Sequence, residues 1–558
     1  MASRRGAAGC IAIALLLLAE YGLFRQFALR EVVWAYPTNF DQSAALRRSY
    51  ETFEKVRTDG LFAGIRDRLS QPAPTGVLMP IEAVVLYRFL GPSRLSALTV
   101  NFLHFALFQV VLLYTLRWWS GRWAPGWLGL GLLLSASAPF AAAGGLMDFR
   151  MDTLALCLWG VFMCAVIRSG VFAQRGWSIA AGAVAGVLVL VRFLTLAYVA
   201  GVLTLLFFFL LTRRSRGGPS REAAAGTSTP GGVVAAGLMM SVVALPALAG
   251  NMESIRNYYG PGHFFGVERQ IWLRAQGLST AGDKLLYYPR SLAYDHAGPL
   301  LLWMCTAAVV VAAVLARTPK ESPEDTPRSD VVTAEVFVGS CFLVPLTVLT
   351  VAAVKSPVVA SILVPPLLWI TLVLVIRLTG ALRGRRIPPL RERALAVLSA
   401  LAVLLGAWHQ VDRLRRPGPL AGQRRDISEL LSLYDAIGEH SRRLGWSAPR
   451  VSMDRIAEFL NPGLVPAVVY ERRGLLLGYN GALGSRIFAI TEQDALALAE
   501  GSDFVVVTDD GPDLSPFPFE SSMRAIRPSL RRLCDARFAR LGDFHFFGRQ
   551  ATLYARAP

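Results

Sequence analysis

The stretch Tyr36-Pro-Thr-Asn-Phe-Asp41-Gln42 marks where the chain first turns from apolar to polar sequence. The run Gly9–Phe24 ahead of it is apolar and follows Arg4 and Arg5. Tyr21-Gly-Leu-Phe-Arg-Gln comes next, with no small-residue cleavage site of the A-x-A kind, so the run is expected to be a retained first span and not a signal peptide. Arg4 and Arg5 keep the N-terminus cytoplasmic. Asp41 then falls at the outer membrane surface, ahead of a long polar loop and many further apolar runs.

The remaining composition agrees with a membrane body. Of 558 residues, 54% are apolar and only 17% charged, and mean hydropathy is +0.44. A soluble chain carries about a quarter charged residues, whereas several runs here reach the ~20 residues that cross a bilayer. Net charge is +18, but the arginines cluster in short loops between apolar runs, as membrane topology requires. Nucleic-acid binding is therefore not expected. Arg and Ala richness fits a high-GC bacterial genome and its plasma membrane. The cysteines are scattered with no CxxC pair, so neither a disulfide framework nor a zinc site is indicated.

Alternating basic loops order the spans. The first exits near Arg25, and residues 26–95 form the first external loop, with a helical run Gln42–Leu69, the breakers Pro72-Ala-Pro74-Thr-Gly76, and a short interfacial helix over Val77–Leu90. Spans follow near Leu95–Leu116, Ala124–Ala143 and Met151–Ile167. The run Trp177–Leu211 is too long for one crossing and splits into two at Arg192, which keeps Arg213, Arg214, Arg216 and Arg221 inside with the loop Gly217–Gly232. After Val233–Ala249 comes a second external loop, residues 250–298, then spans at Pro299–Leu315, Val336–Val351, Val358–Leu378 and Ala394–Gln410. The inner loops carry Lys320, Arg328, Arg383, Arg385 and Arg386. The expectation is a polytopic α-helical membrane protein of about eleven transmembrane helices over residues 1–410, followed by an extracytoplasmic α/β domain over 411–558. In that tail Asp426–Leu444 and Thr491–Glu500 read as helices, Phe504–Thr508 as a strand, and the segments about Gly548 as a hairpin.

Three groups of residues have chemical potential. Asp41 is an interfacial carboxylate placed to act as general base, or to cap the helix beginning at Gln42. Asp148 and Asp152, with Arg150 between them, open the fourth span; their i,i+4 spacing puts both on one helix face if the helix starts early enough. Acids at the mouth of a span are costly to bury and are often functional, though solvated capping is the plain alternative. The third group is basic and external: Arg192, Lys355, and the loop containing Arg256 and Tyr258. A lipid-borne phosphate must be held where it leaves the bilayer, and Arg or Lys supplies that contact; snorkelling explains any one of them alone. Gly478-Tyr-Asn-Gly481-Ala-Leu-Gly484 and Asp509-Asp510-Gly-Pro-Asp513 are expected to be ordinary loops. Walker, Ser-His-Asp and His-rich metal motifs are absent from the sequence.

In this order the pieces resemble the GT-C membrane glycosyltransferases, in the branch of protein O-mannosyltransferases and the aminoarabinose transferase of lipid A. The resemblance is carried by Phe40-Asp41-Gln42, by Phe89-Leu-Gly91-Pro-Ser-Arg94-Leu-Ser-Ala before a span, by Arg150-Met-Asp152-Thr-Leu-Ala-Leu, and by Gly182-Ala-Val-Ala-Gly186 leading to Arg192. It covers roughly residues 1–410. It implies a sugar donor on polyprenyl phosphate, inverting transfer to a glycan, lipid or protein acceptor, Asp41 as base with Asp152 or Asp148 in support, and Arg192, Lys355 and Arg256 holding phosphate. Arg150 and Tyr258 complete the substrate-contact candidates. Many relatives have a second acid where Gln42 stands, so a divalent metal is not favoured. The rival readings are a flippase or transporter of lipid-linked saccharides, which tends to show paired repeats and midplane charges, and a non-catalytic membrane scaffold.

Overall fold

The computed structural model describes residues 2–557 except 36, 38, 39, 217–227, 279, 317–328, 353, 383–387, 418–423, 455–463, 480–482, 484–487, 510–516 and 547. Most of the Gly217–Gly232 loop, the Lys320 and Arg328 loop, the arginines at 383, 385 and 386, and parts of the 478–484 and 509–513 stretches lie outside the described residues.

Among the described residues, sixteen α-helices make the body. Helix α1 (Ala2–Phe27) leads to a polar insertion of α2 (Phe40–Asp59), α3 (Leu61–Ser70) and α4 (Leu78–Leu90). Then come α5 (Arg94–Ser120), α6 (Trp123–Leu134), α7 (Met151–Arg168), α8 (Arg175–Val191), α9 (Thr195–Arg216) and α10 (Pro230–Tyr259). A second insertion carries α11 (Val267–Ala275) and α12 (Ala281–Ser291), and α13 (Gly298–Ala316), α14 (Ser329–Val351), α15 (Val364–Thr379) and α16 (Pro389–Arg415) finish it.

Nine helical segments among the described residues are long and apolar enough to cross a bilayer. The other two expected spans correspond to the 17-residue α8 and the 12-residue α6. This is an integral membrane protein. Helix α7 is enclosed along nearly its whole length, with α15 beside it, while α1, α10, α13 and α16 lie outside. Those outer helices show Leu238, Val242, Trp303, Val314, Leu404 and Trp408 on their surface. Apolar side chains facing outward are stable only where lipid is the solvent.

Two boundaries differ from the sequence expectation. The helical run Gln42–Leu69 is broken into α2 and α3 at Gly60, whose φ of +89° suits only glycine. Helix α7 begins at Met151, so Asp148 sits in the preceding turn and does not share a helix face with Asp152.

The C-terminal unit runs α17 (Arg424–Arg443), β1 (Arg450–Met453), α18 (Leu464–Arg473), β2 (Gly478–Tyr479), α19 (Glu492–Glu500), β3 (Phe504–Thr508), α20 (Pro518–Arg537), β4 (Phe538–Phe546) and β5 (Arg549–Arg556). Its sheet has the order β2-β1-β3-β5-β4, with β1, β2 and β3 parallel and the β4–β5 hairpin antiparallel. Strand β3 is buried throughout, with both its faces covered, and apolar up to Thr508. Phe504 and Val506 pack with α17 and α18, and Val505 and Val507 with α19 and α20. The expected helices, strand and hairpin are all present, and Thr491 caps α19 by accepting from the Asp494 N–H.

Candidate functional site

Three chain segments converge at the mouth of α7. The first is the N-terminus of α2. Asp41 lies inside its first turn, so of its two readings the helix cap does not hold, and its carboxylate is 58% exposed. Gln42, one residue on, is buried and donates to the Met147 carbonyl at 3.3 Å, which joins α2 to the second segment.

That second segment is the turn Gly144–Arg150. It is built by side chains bonding to backbone: Asp148 accepts the Gly144 N–H at 2.6 Å, Thr153 Oγ1 donates to the Gly144 carbonyl at 2.7 Å, and Asn101 of α5 donates to the Leu146 and Asp148 carbonyls at 3.2 and 2.8 Å. With every end held, Arg150 is extended and points its guanidinium into a ring of carboxylates. It meets Asp41 at 2.8 Å, Asp152 at 3.5 Å and Asp148 at 3.9 Å.

The third segment is the α8–α9 break. Here Arg192 follows the last turn of α8 and pairs with Asp152. The extended strip after the Pro72 breakers holds the break in place, Val77 N–H donating to the Leu190 carbonyl and Phe193 N–H to the Thr75 carbonyl, each at 2.9 Å. Only glycine fits at position 76, since a Cβ there would lie 2.0 Å from the Val191 carbonyl oxygen. The split of the long apolar run at Arg192 is thus as expected.

Three acids and two guanidinium groups share this site. Burial pushes the Asp148 carboxyl up to about 7, against the pull of Arg150 and the Gly144 N–H. Burial disfavours the charge on Arg150, but Asp152, Asp41 and Asp148 together hold it above its ordinary value. Arg192 behaves alike: burial disfavours its charge, but Asp152 together with Tyr259, Tyr198 and Tyr258 holds it above its ordinary value. The Arg192 field also reaches His263, beyond α10, whose imidazole is held down to about 4 by burial first and Arg192 second. Two carboxylate oxygens, Asp148 Oδ1 and Asp152 Oδ2, are buried with no hydrogen-bond donor among the described residues. Orphaned buried acceptors mark a strained or functional centre more often than a structural one.

The other sequence candidates lie at different depths. Tyr258 is exposed at the end of α10, stacked edge-on with Tyr259 and 5.1 Å from the His263 ring. Arg256 is exposed two residues earlier. Lys355 is only 2% exposed, its Nζ donates to the Leu349 and Thr350 carbonyls at 2.9 and 2.6 Å, and it sits 5.2 Å from the Tyr288 ring. Its charge closes the C-terminal end of α14. Burial, with Lys284 nearby, pulls its ammonium down to about 8.

Residues the sequence did not single out also line the crevice. Ala155, Thr195, Tyr198, Val359, Ser361 and Ile362 wall it beside Asp152 and Arg192. The Tyr198 hydroxyl is buried there without a partner among the described residues. Tyr198 lies in an apolar run, where nothing in the local pattern distinguishes it from a lipid-level aromatic.

Among the described residues no group of three His, Cys, Asp or Glu side chains is arranged to hold an ion. Arg150 already lies between the carboxylates that would have to supply one.

No protein-family model matches the chain, and neither does any curated protein. Solved structures do. ArnT from Cupriavidus metallidurans in the apo state superposes with a TM-score of 0.58 over 100% of this chain and 99% of that one, at 14% identity. The chain shares its fold with ArnT. ArnT bound to undecaprenyl phosphate gives a TM-score of 0.55 over 98% of each chain, also at 14% identity. The polytopic helical fold expected from the order of motifs therefore holds, and the likeness to ArnT runs on through the C-terminal sheet.

Proposed function

We propose that the protein is a membrane glycosyltransferase that moves a sugar from a polyprenyl-phosphate donor to an acceptor hydroxyl on the extracytoplasmic face. The observation that carries this reading is the half-exposed Asp41 carboxylate, held by Arg150 above two buried acids and beside Arg192. The GT-C fold, and a structure of similar fold solved with undecaprenyl phosphate, support a lipid-linked donor.

The chemistry needs little beyond positioning. Asp41 takes the proton of the acceptor hydroxyl as its oxygen attacks the anomeric carbon. The bond from that carbon to the phosphate oxygen breaks, and the lipid phosphate leaves with the electron pair. One displacement inverts the anomeric centre. Arg192 and Arg256 are assigned to the phosphate charge, Tyr258 to the donor, and Asp152 to holding Arg150 and Arg192 in register. The C-terminal domain, residues 411–558, lies on the same side as the loops 26–95 and 250–298, with the N-terminus of the chain cytoplasmic.

The test is transfer of radiolabelled sugar from a panel of polyprenyl-phosphate hexoses and pentoses in membranes containing the protein, with the anomeric configuration of the product read by NMR. Transfer with inversion is expected. Retention of configuration, or no transfer alongside movement of intact donor across vesicles, overturns the reading.

A further inference from the structure

We propose that the C-terminal domain takes part in the reaction by setting the position of Asp41, through a buried latch of Arg94, Glu471 and Tyr50. This rests on the reading of Asp41 given above. Glu471 is near the end of α18 in the C-terminal unit, and Arg94 opens α5 in the membrane body. Their pair is a two-pronged fork, Nε to Oε1 at 3.2 Å and the second nitrogen to Oε2 at 2.7 Å, with Arg94 only 2% exposed. Such a fork fixes orientation as well as distance.

The latch reaches α2 from both sides. Tyr50, fully buried in the middle of α2, donates to Glu471 Oε1 at 2.6 Å and stacks on Tyr470 with centroids 4.7 Å apart. Tyr470 in turn donates to Glu54 of α2 at 2.5 Å. On the other side, the third nitrogen of Arg94 donates to the Val32 and Ala35 carbonyls, in the segment that leads into Asp41. Ala35 itself is buried in the core of the sheet domain, with Trp34 packed against it. Residues 32–35, ahead of Asp41, and the helix that carries Asp41 are therefore both held to the C-terminal unit.

Helix α5 supplies the ruler between the two halves of the site. Arg94 and Asn101 are seven residues apart, two turns along one face and roughly 10 Å along the axis. Arg94 holds the lead-in to Asp41, and Asn101 holds the carbonyls of the turn carrying Asp148 and Arg150. Loosening the Glu471 end frees α2 relative to that turn and moves Asp41 off Arg150. Glu471 and Arg94 are positioning residues, remote from the reacting atoms.

The experiment compares wild type, Glu471→Gln, Arg94→Lys, and the exposed control Glu439→Gln, all full-length in lipid nanodiscs. Glu471→Gln keeps the shape and the Tyr50 bond while removing the charge. Two readouts are taken: kcat and donor KM, and hydrogen exchange of peptides spanning residues 33–50. The expected result is a fall in kcat of about tenfold or more with donor KM within about twofold, with exchange over 33–50 quickened by about tenfold and α7 unchanged. The control matches wild type. Unchanged exchange over 33–50 overturns the latch whatever the activity. Faster exchange with unchanged kcat also overturns it, since the latch would then stabilise without positioning. A wild-type protein that transfers nothing overturns the reading of the site instead, and exchange alone then decides whether the latch holds α2.

Discussion

Arg150 grips Asp41 at 2.8 Å, joining the first turn of α2 to the mouth of α7. One guanidinium faces three carboxylates from two chain segments, at 2.8, 3.5 and 3.9 Å. A planar fork of donors can satisfy several acceptors at once, whereas an ammonium is a single point charge. The exposed acid is thereby fixed in place while the buried ones are compensated.

Arg150→Lys is expected to keep the charge and lose the geometry. Transfer should fall by about a hundredfold or more through kcat, with donor KM changed little, because the loss is in orientation of the base. Steady-state kinetics in nanodiscs measure both. A kcat within about twofold of wild type would show that charge alone suffices.

Asp148 makes stability depend on pH in a definite direction. Its folded pKa is raised to about 7 from 3.8, chiefly by burial. The folded chain therefore keeps a proton that the unfolded chain releases between about pH 4 and 7. That stabilising contribution is present at low pH and is lost as pH rises through about 7, with a ceiling of roughly 4 kcal/mol. Melting of purified wild type at pH 5.5 and pH 8 should show the drop, and Asp148→Asn should flatten it.

How much of this was legible in the sequence follows from what each signal depends on. Spans declare themselves by apolar length and by flanking arginines, so even the break at Arg192 could be placed without coordinates. Asp41, Asp152 and Arg150 stood out because charges at span mouths are costly to bury. The burial of Lys355 was not legible because its sequence neighbourhood is that of an external loop, while the fold bends it back onto the carbonyls of Leu349 and Thr350. Asn101, Tyr198 and Glu471 were invisible for a related reason. Asn101 and Glu471 bond residues 45 or more positions away, Tyr198 has no hydrogen-bond partner among the described residues, and local periodicity carries no record of either situation.

Lys355 and Arg256 should respond in opposite ways. Lys355→Met removes two bonds to buried carbonyls and should cost about 1–3 kcal/mol of stability with donor KM within about twofold. Arg256→Ala, on an exposed helix end, should leave melting unchanged and raise donor KM several-fold. Melting and donor titration on the same two preparations separate the cases.

Gly76→Ala tests the seat of Arg192. The added methyl would lie 2.0 Å from the Val191 carbonyl oxygen, so the strip or the break must move. A loss of roughly 2 kcal/mol or more is expected, with a further fall in transfer by the protein that remains folded. Thermal melting and active-fraction measurements check it.

The most direct measurement is sugar transfer from polyprenyl-phosphate donors by wild type and Asp41→Asn, in membranes at matched protein level. Asparagine keeps the shape of the side chain and cannot take the acceptor proton. Transfer by the wild type and a loss of about a thousandfold or more in the variant is the predicted result. Full transfer by Asp41→Asn would contradict the account, for it would show that the carboxylate held by Arg150 is not the base.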